Sequence, residues 1–363
     1  MDQALNRRDF LFATGAAALP PKSVPTPKSK PLNYNPDMEY RRLGKTGLMV
    51  SAVCMGGHWK RVKVMLGAGF SGAGYDKQDF DNVHNAAFLG NREAVVNRAI
   101  EAGINYIDAC AGPEVLAYSK VLKGRRDKMY LGYSWHTRES RYKEWRDGRK
   151  MLEGLNQGLR EAGLDYVDLW RISLPMESIN DLGELLMVEE TCMEALELAK
   201  KQGKARFTGV STHNRVWLRS IVQQYPKQVE VVLFPYTADS KVLPDDSLFD
   251  AIAKHDPGVF GIKPFADNSL FKGDSSPAHP EAAHDARRAR LALRYVLMNP
   301  AISAPIPGLI NPEQVDNAAL AVKERRKQDK LTRAERAELE SACTRMWANL
   351  RPDHSWLRNW EYV

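Results

Sequence analysis

Short apolar segments recur along the chain from residue 51 onward, and turn-forming residues bound each of them. These segments are almost continuously hydrophobic, with many β-branched and aromatic side chains, instead of alternating with polar positions. Such a pattern is typical of strands that are buried on both faces. The predicted strands are Ser51–Gly57, Ile104–Cys110, Lys128–Ser134, Tyr166–Ile172, Ala205–Ser211, Val229–Tyr236, Gly258–Phe265 and Ile302–Gly308.

Amphipathic, helix-like segments separate these strands, and several begin at an Asn or end at a Gly, the residues that favour helix ends. The predicted helices are Asn91–Gly103, Pro113–Lys123, Lys143–Gly163, Gly183–Gly203, Asn214–Tyr225, Asp246–His255, Ala283–Asn299 and Asn311–Lys323. Repeated alternation of strand and helix predicts an α/β protein with a closed (β/α)8 TIM barrel. The alternative is a doubly wound open sheet, which would require a Gly-x-Gly-x-x-Gly turn directly after a strand, and none of the predicted strands is followed by one.

The 363 residues divide into three parts on this pattern. Residues 1–37 form a leader and a proline-rich linker, residues 38–325 form the barrel, and residues 326–363 form a C-terminal extension. The extension contains an amphipathic helix, Leu331–Ala348, and an aromatic tail with Trp356, Trp360 and Tyr362. We expect this tail to pack over the barrel or against a partner.

The N-terminus has the features of an export signal. Arg7 and Arg8 precede a short apolar stretch that runs to Pro20 and contains small residues at 16–18. This order of charged, apolar and small residues is typical of a secretory signal peptide, and the paired arginines resemble a twin-arginine signal. The sequence therefore predicts export by the twin-arginine machinery to the periplasm or the extracellular space; the alternative is a chance Arg pair before an alanine-rich helix. The apolar stretch is shorter than the ~20 residues that cross a bilayer, so we expect no stable membrane insertion.

Charge and cysteine content exclude several classes of function. The net charge is +7, and the first 37 residues hold five basic and three acidic side chains, which leaves +5 for the rest. Without a long basic run, this small surplus predicts no nucleic-acid partner. Four scattered cysteines are too few for a disulfide scaffold and lack the spacing of a zinc site.

Several stretches resemble the aldo/keto reductase family. They are 40–48, 50–53, 55–57, 102–108, 122–127, 163–169, 305–308 and 311–314, and the resemblance runs from about Met38 to Val322. It implies an N-terminal β-hairpin before the barrel, a site at the C-terminal ends of the strands, and reduction of carbonyls with NADPH.

The resemblance also implies a catalytic set of Asp, Tyr, Lys and His. Asp108 matches the Asp, whereas Pro113, Ser134 and Ser173 stand where the Tyr, Lys and His are expected. An ordinary mechanism of carbonyl reduction is therefore not expected from these residues.

The residues that the family uses to bind its cofactor are better preserved than the catalytic set. Ser211 matches the residue at the carboxamide and Tyr236 the ring that stacks on nicotinamide, while Gly308, Glu313 and Asn317 match the adenine side. Asp267 replaces a Gly near the pyrophosphate, and we expect Lys263 to offset its charge. Residues 309–311 offer no Arg or Lys for a 2′-phosphate. The resemblance thus implies NAD or NADP, with neither favoured.

Three imidazoles and one carboxylate are predicted to converge at the barrel mouth: His58, His136, His213 and Asp108. Such a group could supply a general acid or base, or bind a divalent metal; the plainer interpretation is that each His bonds a loop. Cys110 is interpreted as a core residue. Arg171 is expected to pair with Asp108 or to hold an anionic substrate, and the glycine-rich segment 59–90 to act as a flap.

These observations predict an exported oxidoreductase similar to aldo/keto reductases. It would use a nicotinamide cofactor on a carbonyl or sugar-like small molecule, with non-standard acid/base residues. Two alternatives stay open. One is a repurposed barrel with lyase, isomerase or hydrolase activity that a metal could assist, and the other is a binding protein without catalysis.

Overall fold

The computed structural model describes residues 30–70, 72, 77–175 and 179–363. The predicted signal peptide and much of the linker, at 1–29, lie outside the described residues. The same holds for Gly74 and Tyr75 of the predicted flap.

A barrel of parallel strands forms the centre of the molecule and confirms the predicted fold. The strands are β3 (Met55–Gly56), β4 (Tyr106–Ala109), β5 (Tyr130–Tyr133), β6 (Val167–Ser173), β7 (Ala205–Ser211), β8 (Val231–Pro235), β9 (Gly258–Ile262) and β10 (Ala304–Ile306). They pair in sequence order from β3 to β10. A parallel bridge between Gly56 and Gly308 closes the ring, and the Gly56 N–H donates to the Pro307 carbonyl at 2.8 Å.

Alternation along each strand divides the core into two shells. Leu169, Val231, Leu233 and Phe260 belong to the cluster inside the barrel. Their neighbours, such as Val232, pack outward against the helices. The same alternation decides which side chains face the cavity at the carboxyl ends of the strands.

An N-terminal hairpin seals the opposite end. Strands β1 (Tyr40–Arg42) and β2 (Met49–Ser51) pair antiparallel, and Leu43, Leu48 and Val50 join the inner cluster. Gly44, with φ +48°, allows the close approach, because a Cβ there would lie 2.2 Å from the Gly258 nitrogen. The closed bottom leaves the carboxyl ends of the strands as the open face of the barrel.

The helices lie close to their predicted positions. They are Lys63–Leu66, Lys77–Asn82, Ala86–Glu101, Gly112–Val121, Gly148–Ala162, Leu182–Lys201, Arg215–Gln224, Leu248–His255, Ala282–Leu297, Pro312–Lys327 and Arg333–Ala348. The prediction that Asn91 begins and caps the first long helix, observed as Ala86–Glu101, is wrong. Asn85 caps that helix by accepting from the Ala87 and Phe88 amides, and Asn91 instead bonds the Ile310 carbonyl. None of the helices in the described part of the chain is long and apolar enough to cross a membrane.

The C-terminal tail packs on the barrel. After the helix Arg333–Ala348, a 3-10 segment, Pro352–Trp360, crosses the rim of the open face. Trp360 is fully buried, stacks on Phe234 with ring centres 5.5 Å apart, and donates from Nε1 to the His213 carbonyl. The tail therefore forms part of the wall around the barrel mouth.

Candidate active site

A large polar cavity of about 1790 Å³ opens at the carboxyl ends of the strands. Inward-facing positions of several strands, or the residues that follow them, supply its floor. Among its lining residues are His58, Asp108, Cys110, His136, Arg171, Ser173, Ser211, His213 and Lys263. Of the predicted catalytic residues, all four line this cavity, although their environments differ sharply.

Asp108 and Arg171 form a buried ion pair at the floor. Arg171 donates from Nε to Asp108 Oδ1 at 2.8 Å and from a second nitrogen to Oδ2, a bidentate arrangement. Burial disfavours the charged guanidinium, but Asp108 outweighs it and raises the pKa of Arg171. Pairing of Arg171 with Asp108, the first of its two predicted roles, is confirmed. Asp108 is consequently a positioning group rather than an available metal ligand.

His58, Glu114 and Cys110 form a second cluster beside this pair. His58 contacts Glu114 Oε1 through both its backbone N–H and ring Nδ1, and its Nε2 lies 3.7 Å from the Cys110 sulfur. Glu114 stands in the first turn of the helix Gly112–Val121, and its Oε2 accepts from the Cys110 and Ala111 amides. Gly57 makes room for it, because a Cβ there would lie 2.2 Å from the Glu114 carboxyl carbon.

This cluster favours a protonated His58. Burial lowers the pKa of the imidazole, but Cys110 and Glu114 outweigh burial and raise it to about 10. Burial likewise works to raise the pKa of Glu114, yet His58 and the amide donors lower it below its usual range. At neutral pH the site therefore presents an imidazolium held by a carboxylate.

The other two predicted imidazoles are neutral at the same pH. His136 donates from Nδ1 to the Cys110 carbonyl at 2.7 Å, and burial lowers its pKa to about 4. The His213 ring stacks on Trp356 with centres 3.8 Å apart, and burial, followed by Lys263, lowers its pKa well below the usual range. Unlike His58, neither ring carries the extra proton that a general acid would donate.

Two serines occupy the positions where the family resemblance implies a Lys and a His. Their hydroxyls lie 3.1 Å apart, and Ser134 donates to Glu139 at 2.7 Å. Glu139 also accepts from the backbone amides of Trp135 and Ser173 and from Trp170 Nε1. These hydroxyls face a buried carboxylate, so they act as supports for the cavity wall.

Lys60, rather than Lys263, makes the direct contact with Asp267. Lys60 contacts the Asp267 carboxylate at 2.5 Å, while Lys263 Nζ lies 5.6 Å from the centre of the Trp356 ring. Burial, followed by the charge of Lys60, lowers the pKa of Lys263 to about 8. The charge of Asp267 is therefore offset by Lys60, a residue of the segment after β3, and Lys263 still faces the cavity.

A second cavity of about 330 Å³ adjoins the first and shares lining residues with it, among them His58, Lys60 and Gly308. It lies between the helices Ala282–Leu297 and Pro312–Lys327. Its wall contains all three predicted adenine-side residues, Gly308, Glu313 and Asn317. Ser211 lines the first cavity, and the two adjoining cavities with their shared wall are together called the cleft.

Tyr236 is placed differently from its predicted role. Inward positions of β8 are Val231 and Leu233, so alternation turns Tyr236 outward. Its ring packs edge-on against Phe249, and Asn299 donates to its hydroxyl at 3.3 Å. In this position it does not line the cavity and cannot stack on a ring bound there, which corrects the prediction for this residue.

A divalent metal does not fit the cluster as it is built. One ligand atom each from His58, Cys110 and Glu114 lies within 4.8 Å of the others, a group suited to an ion in size. However, the Glu114 oxygens already accept from two groups of His58 and from the Cys110 and Ala111 amides. A carboxylate with these acceptor sites filled is a hydrogen-bond anchor, and the predicted set of three imidazoles and Asp108 is not assembled.

Sequence reasoning missed Glu114, Arg61 and His354. Glu114 carried one usable signal, a Glu in the first turn of a helix that follows a strand, where it can accept from backbone amides. Arg61 reaches the second cavity from the predicted flap, and its guanidinium donates to Gly273 and Ser275. His354 lines the first cavity from the tail. Only the folded chain brings such distant segments together.

Comparison with protein families supports the same class of protein. The sequence model of the Aldo/keto reductase family matches residues 64–338. The chain is 27% identical over 311 residues to L-galactose dehydrogenase from Arabidopsis thaliana, and the match covers 79% of this chain and 89% of that protein. It is 30% identical over 175 residues to aldo-keto reductase family 1 member C3 from Homo sapiens, covering 41% and 52% of the two chains.

Solved structures share the fold. The aldo-keto reductase AKR11C1 from Bacillus halodurans in its holo form superposes with a TM-score of 0.58 at 22% identity, covering 84% of this chain and 96% of that one. An aldo-keto reductase from Klebsiella pneumoniae in complex with NADPH gives a TM-score of 0.57 at 19% identity, covering 84% and 94%.

Proposed function

The chain belongs to the aldo/keto reductase family, and from that membership we propose that it is a nicotinamide-dependent oxidoreductase acting on a carbonyl or sugar-like small molecule. The observation that carries the proposal is the pair of adjoining cavities at the barrel mouth. The larger cavity is polar and is lined by His58, and the smaller one is lined by the predicted adenine-side residues.

The residues of the cleft fit a nicotinamide dinucleotide. Gly308, Glu313 and Asn317 would surround the adenosine, Lys263 would offset the charge of the pyrophosphate, and Arg61 would face the 2′-phosphate of NADPH. Ser211 would lie at the nicotinamide end. When bound, the cofactor supplies or accepts a hydride at the substrate carbon, as nicotinamides do.

His58 is the proposed acid/base group. Reduction of a carbonyl places negative charge on its oxygen, and a nearby imidazolium can deliver a proton there. Glu114 orients the ring and stabilises its charge, a role that a carboxylate commonly has beside a catalytic His. Arg171, fixed by Asp108, is positioned to donate hydrogen bonds to a hydroxylated substrate at the floor.

A polyhydroxylated substrate suits this cavity. Its lining includes Ser173, Ser211, His136 and Arg171, which offer donors and acceptors over the whole floor. L-galactose dehydrogenase, a relative aligned over 89% of its length, carries a sugar in its name. We therefore propose aldoses and related polyols as the first substrates to test.

The assay is the change in absorbance of the nicotinamide with a panel of aldoses, in the wild type and in His58→Asn. Asn tolerates the left-handed backbone of residue 58, whose φ is +56°, so the fold should persist. Removing the acid should lower kcat/KM by roughly 10²–10⁴-fold. His84→Asn, at an exposed His, is the matched control. Equal rates in wild type and His58→Asn would refute the role of His58, and no turnover of any substrate in the panel would refute the activity.

We also propose that the protein is exported. The support is the Arg7-Arg8 pair and the apolar stretch behind it. Fractionation of cells expressing the full chain, followed by mass measurement, should find a shortened protein outside the cytoplasm. Replacing both arginines by lysine should retain the full-length chain inside. Full-length protein in the cytoplasm of wild-type cells would contradict export.

A further inference from the structure

The larger cavity carries more basic than acidic side chains. Four carboxylates line it, and each contacts a basic side chain of the same lining; they are Asp108, Glu114, Asp267 and Asp353. Seven lysine and arginine side chains line the cavity in the described part of the chain, so they outnumber the carboxylates. The cavity therefore holds positive charge that its own acidic groups do not neutralise.

Two arginines of this lining, Arg141 and Arg215, have no partner. Neither guanidinium makes an ion pair or a hydrogen bond within residues 30–70, 72, 77–175 and 179–363. Both residues are half-buried, whereas other arginines without a partner, such as Arg149, Arg160 and Arg333, are exposed on helices. The Nε of Arg215 is shielded from solvent and finds no acceptor in the same residues. Leaving a shielded donor unsatisfied costs free energy, which an anionic ligand would offset.

The two arginines lie on the side of the barrel mouth that is turned away from the smaller cavity. Arg141 follows β5, and Arg215 is the first residue of the helix after β7. The smaller cavity is lined by segments after β3, β9 and β10, and by none of the described residues from 62 to 264. Because the strands pair in order and the ring closes between β3 and β10, β6 lies opposite β10. A charge bound by these arginines would thus belong to the substrate rather than to the adenine half of the cofactor.

The charge of Arg141 acts on groups around the mouth. Burial is the main cause of the lowered pKa of His136, His213 and Lys263, and the charge of Arg141 acts in the same direction on all three. These groups follow β5, β7 and β9, so the guanidinium lies within electrostatic reach of three sides of the cavity. A cavity with an excess of one sign of charge concentrates ligands of the opposite sign.

We propose that Arg141 and Arg215 bind an anionic group of the substrate, which is therefore an acidic sugar rather than a neutral aldose. The inference rests on the proposed function for the sugar class. The planar fork of a guanidinium matches the oxygens of a carboxylate or a phosphate, so the group is a carboxylate, as in a uronic acid, or a phosphate ester. His58 follows β3, across the ring from β7. The anionic group would then lie at the end of the sugar remote from the reacting carbonyl.

The first experiment compares the affinity of the full-length chain for acidic and neutral sugars. D-Glucuronate, D-glucose 6-phosphate and D-glucose are titrated calorimetrically at pH 7 and constant ionic strength, without a nicotinamide. At least one of the two acids should bind roughly 10–100-fold more tightly than glucose, as expected for hydrogen bonds to a charged group. The tighter acid identifies the group as a carboxylate or a phosphate. Equal affinities for all three sugars, or no binding of either acid, would overturn the proposal.

The second experiment tests the two arginines directly. Arg141→Gln and Arg215→Gln should each weaken binding of the acid by roughly tenfold and leave binding of glucose unchanged. Both variants should fold, because neither guanidinium bonds another described group. Arg160→Gln removes the same charge from an exposed helix position and is the matched control. Unchanged affinity in both cavity variants, or an equal loss in Arg160→Gln, would overturn the proposal.

Failure of this inference is separable from failure of the proposed function, because neither titration requires a cofactor or turnover. Binding of an acid through Arg141 and Arg215 without turnover of any sugar would refute only the oxidoreductase activity. Turnover of neutral and acidic sugars at equal kcat/KM, with no change in Arg141→Gln, would refute only the anion site.

Discussion

At the scale of single residues, the three imidazoles at the barrel mouth differ in the proton each one holds. His58 touches a carboxylate and a thiol, whereas the buried His136 bonds a carbonyl and the half-buried His213 stacks on an indole ring. The same residue type is therefore cationic at one position and neutral at the other two. This difference is what singles out His58 as the acid.

The lowered pKa of His136 has a consequence for stability. Between pH 6.5 and about 4, the unfolded chain protonates this His while the folded protein holds it neutral. The unfolded state then binds more protons, so stability falls as the pH falls through this window, by about 3 kcal/mol at most. In His136→Gln this loss should disappear. Urea unfolding of both proteins from pH 7 to pH 4 checks it, and parallel stability curves would contradict it.

The buried ion pair predicts an asymmetric mutational response. Arg171→Met leaves the Asp108 carboxylate buried without its bidentate partner, which should cost about 3–5 kcal/mol. Adding Asp108→Asn to Arg171→Met removes the uncompensated charge and should recover part of that loss. Denaturant unfolding of both single variants and the double variant measures the coupling. If the losses in unfolding free energy of the two single variants simply add in the double variant, the ion pair contributes no coupling energy to stability.

Some of these residues were predictable from sequence, and others were not. Alternation along a strand was enough to place Asp108 and Cys110 on one face. Applied to β8, the same rule turns Tyr236 away from the cavity. Glu114 could not be joined to His58 from sequence, because their contact depends on the closure of the barrel and on a glycine at position 57.

At the scale of elements, predicted and observed segments agree best where burial is most uniform. The strand Ala205–Ser211 has its predicted bounds, whereas the predicted strand Ser51–Gly57 is divided between the hairpin and the two-residue strand Met55–Gly56. Periodicity detects apolar runs but not the point at which a chain leaves one sheet for another. The misplaced cap at Asn91 has a similar cause, since Asn85 lies about 1.7 turns earlier, in a segment interpreted as a flap.

The C-terminal tail is a structural element of the mouth rather than an appendage. Trp360 is fully buried between the barrel and the tail, so Trp360→Ala should destabilise the fold by about 3–5 kcal/mol. Tyr362→Ala, at a residue that is 46% exposed, should change stability by less than about 0.5 kcal/mol. Thermal and urea unfolding compare the two. Equal effects of both variants would contradict the packing described for Trp360.

At the scale of the whole molecule, the barrel joins distant parts of the chain into one cleft. The segment after β3 supplies Lys60 and Arg61, the helix Pro312–Lys327 supplies Glu313 and Asn317, and the tail supplies Trp356. The sequence predicted the fold and most of the discussed residues that line the two cavities. It could not predict that the two cavities adjoin and share lining residues, because their positions depend on how separate loops pack over the strand ends.

Arg61 gives the cleft a guanidinium that the loop at 309–311 lacks, and guanidinium groups favour phosphate. We predict that Arg61→Ala weakens NADPH binding about tenfold, or about 1.4 kcal/mol, while NADH binding changes little. Arg149→Ala, at an exposed arginine, is the matched control. Isothermal titration of both cofactors measures the difference. Equal losses for NADPH and NADH would exclude a role for Arg61 at the 2′-phosphate.

The central claim is that the joined cavities of this barrel hold a nicotinamide dinucleotide. Trp356 lines the larger cavity and Trp59 lines the smaller one, so ligand binding should change the intrinsic fluorescence of the protein. Titration of NADPH and of NADH into the purified full-length chain should give saturable quenching of tryptophan emission with at least one of them. No saturable change with either cofactor would contradict the claim.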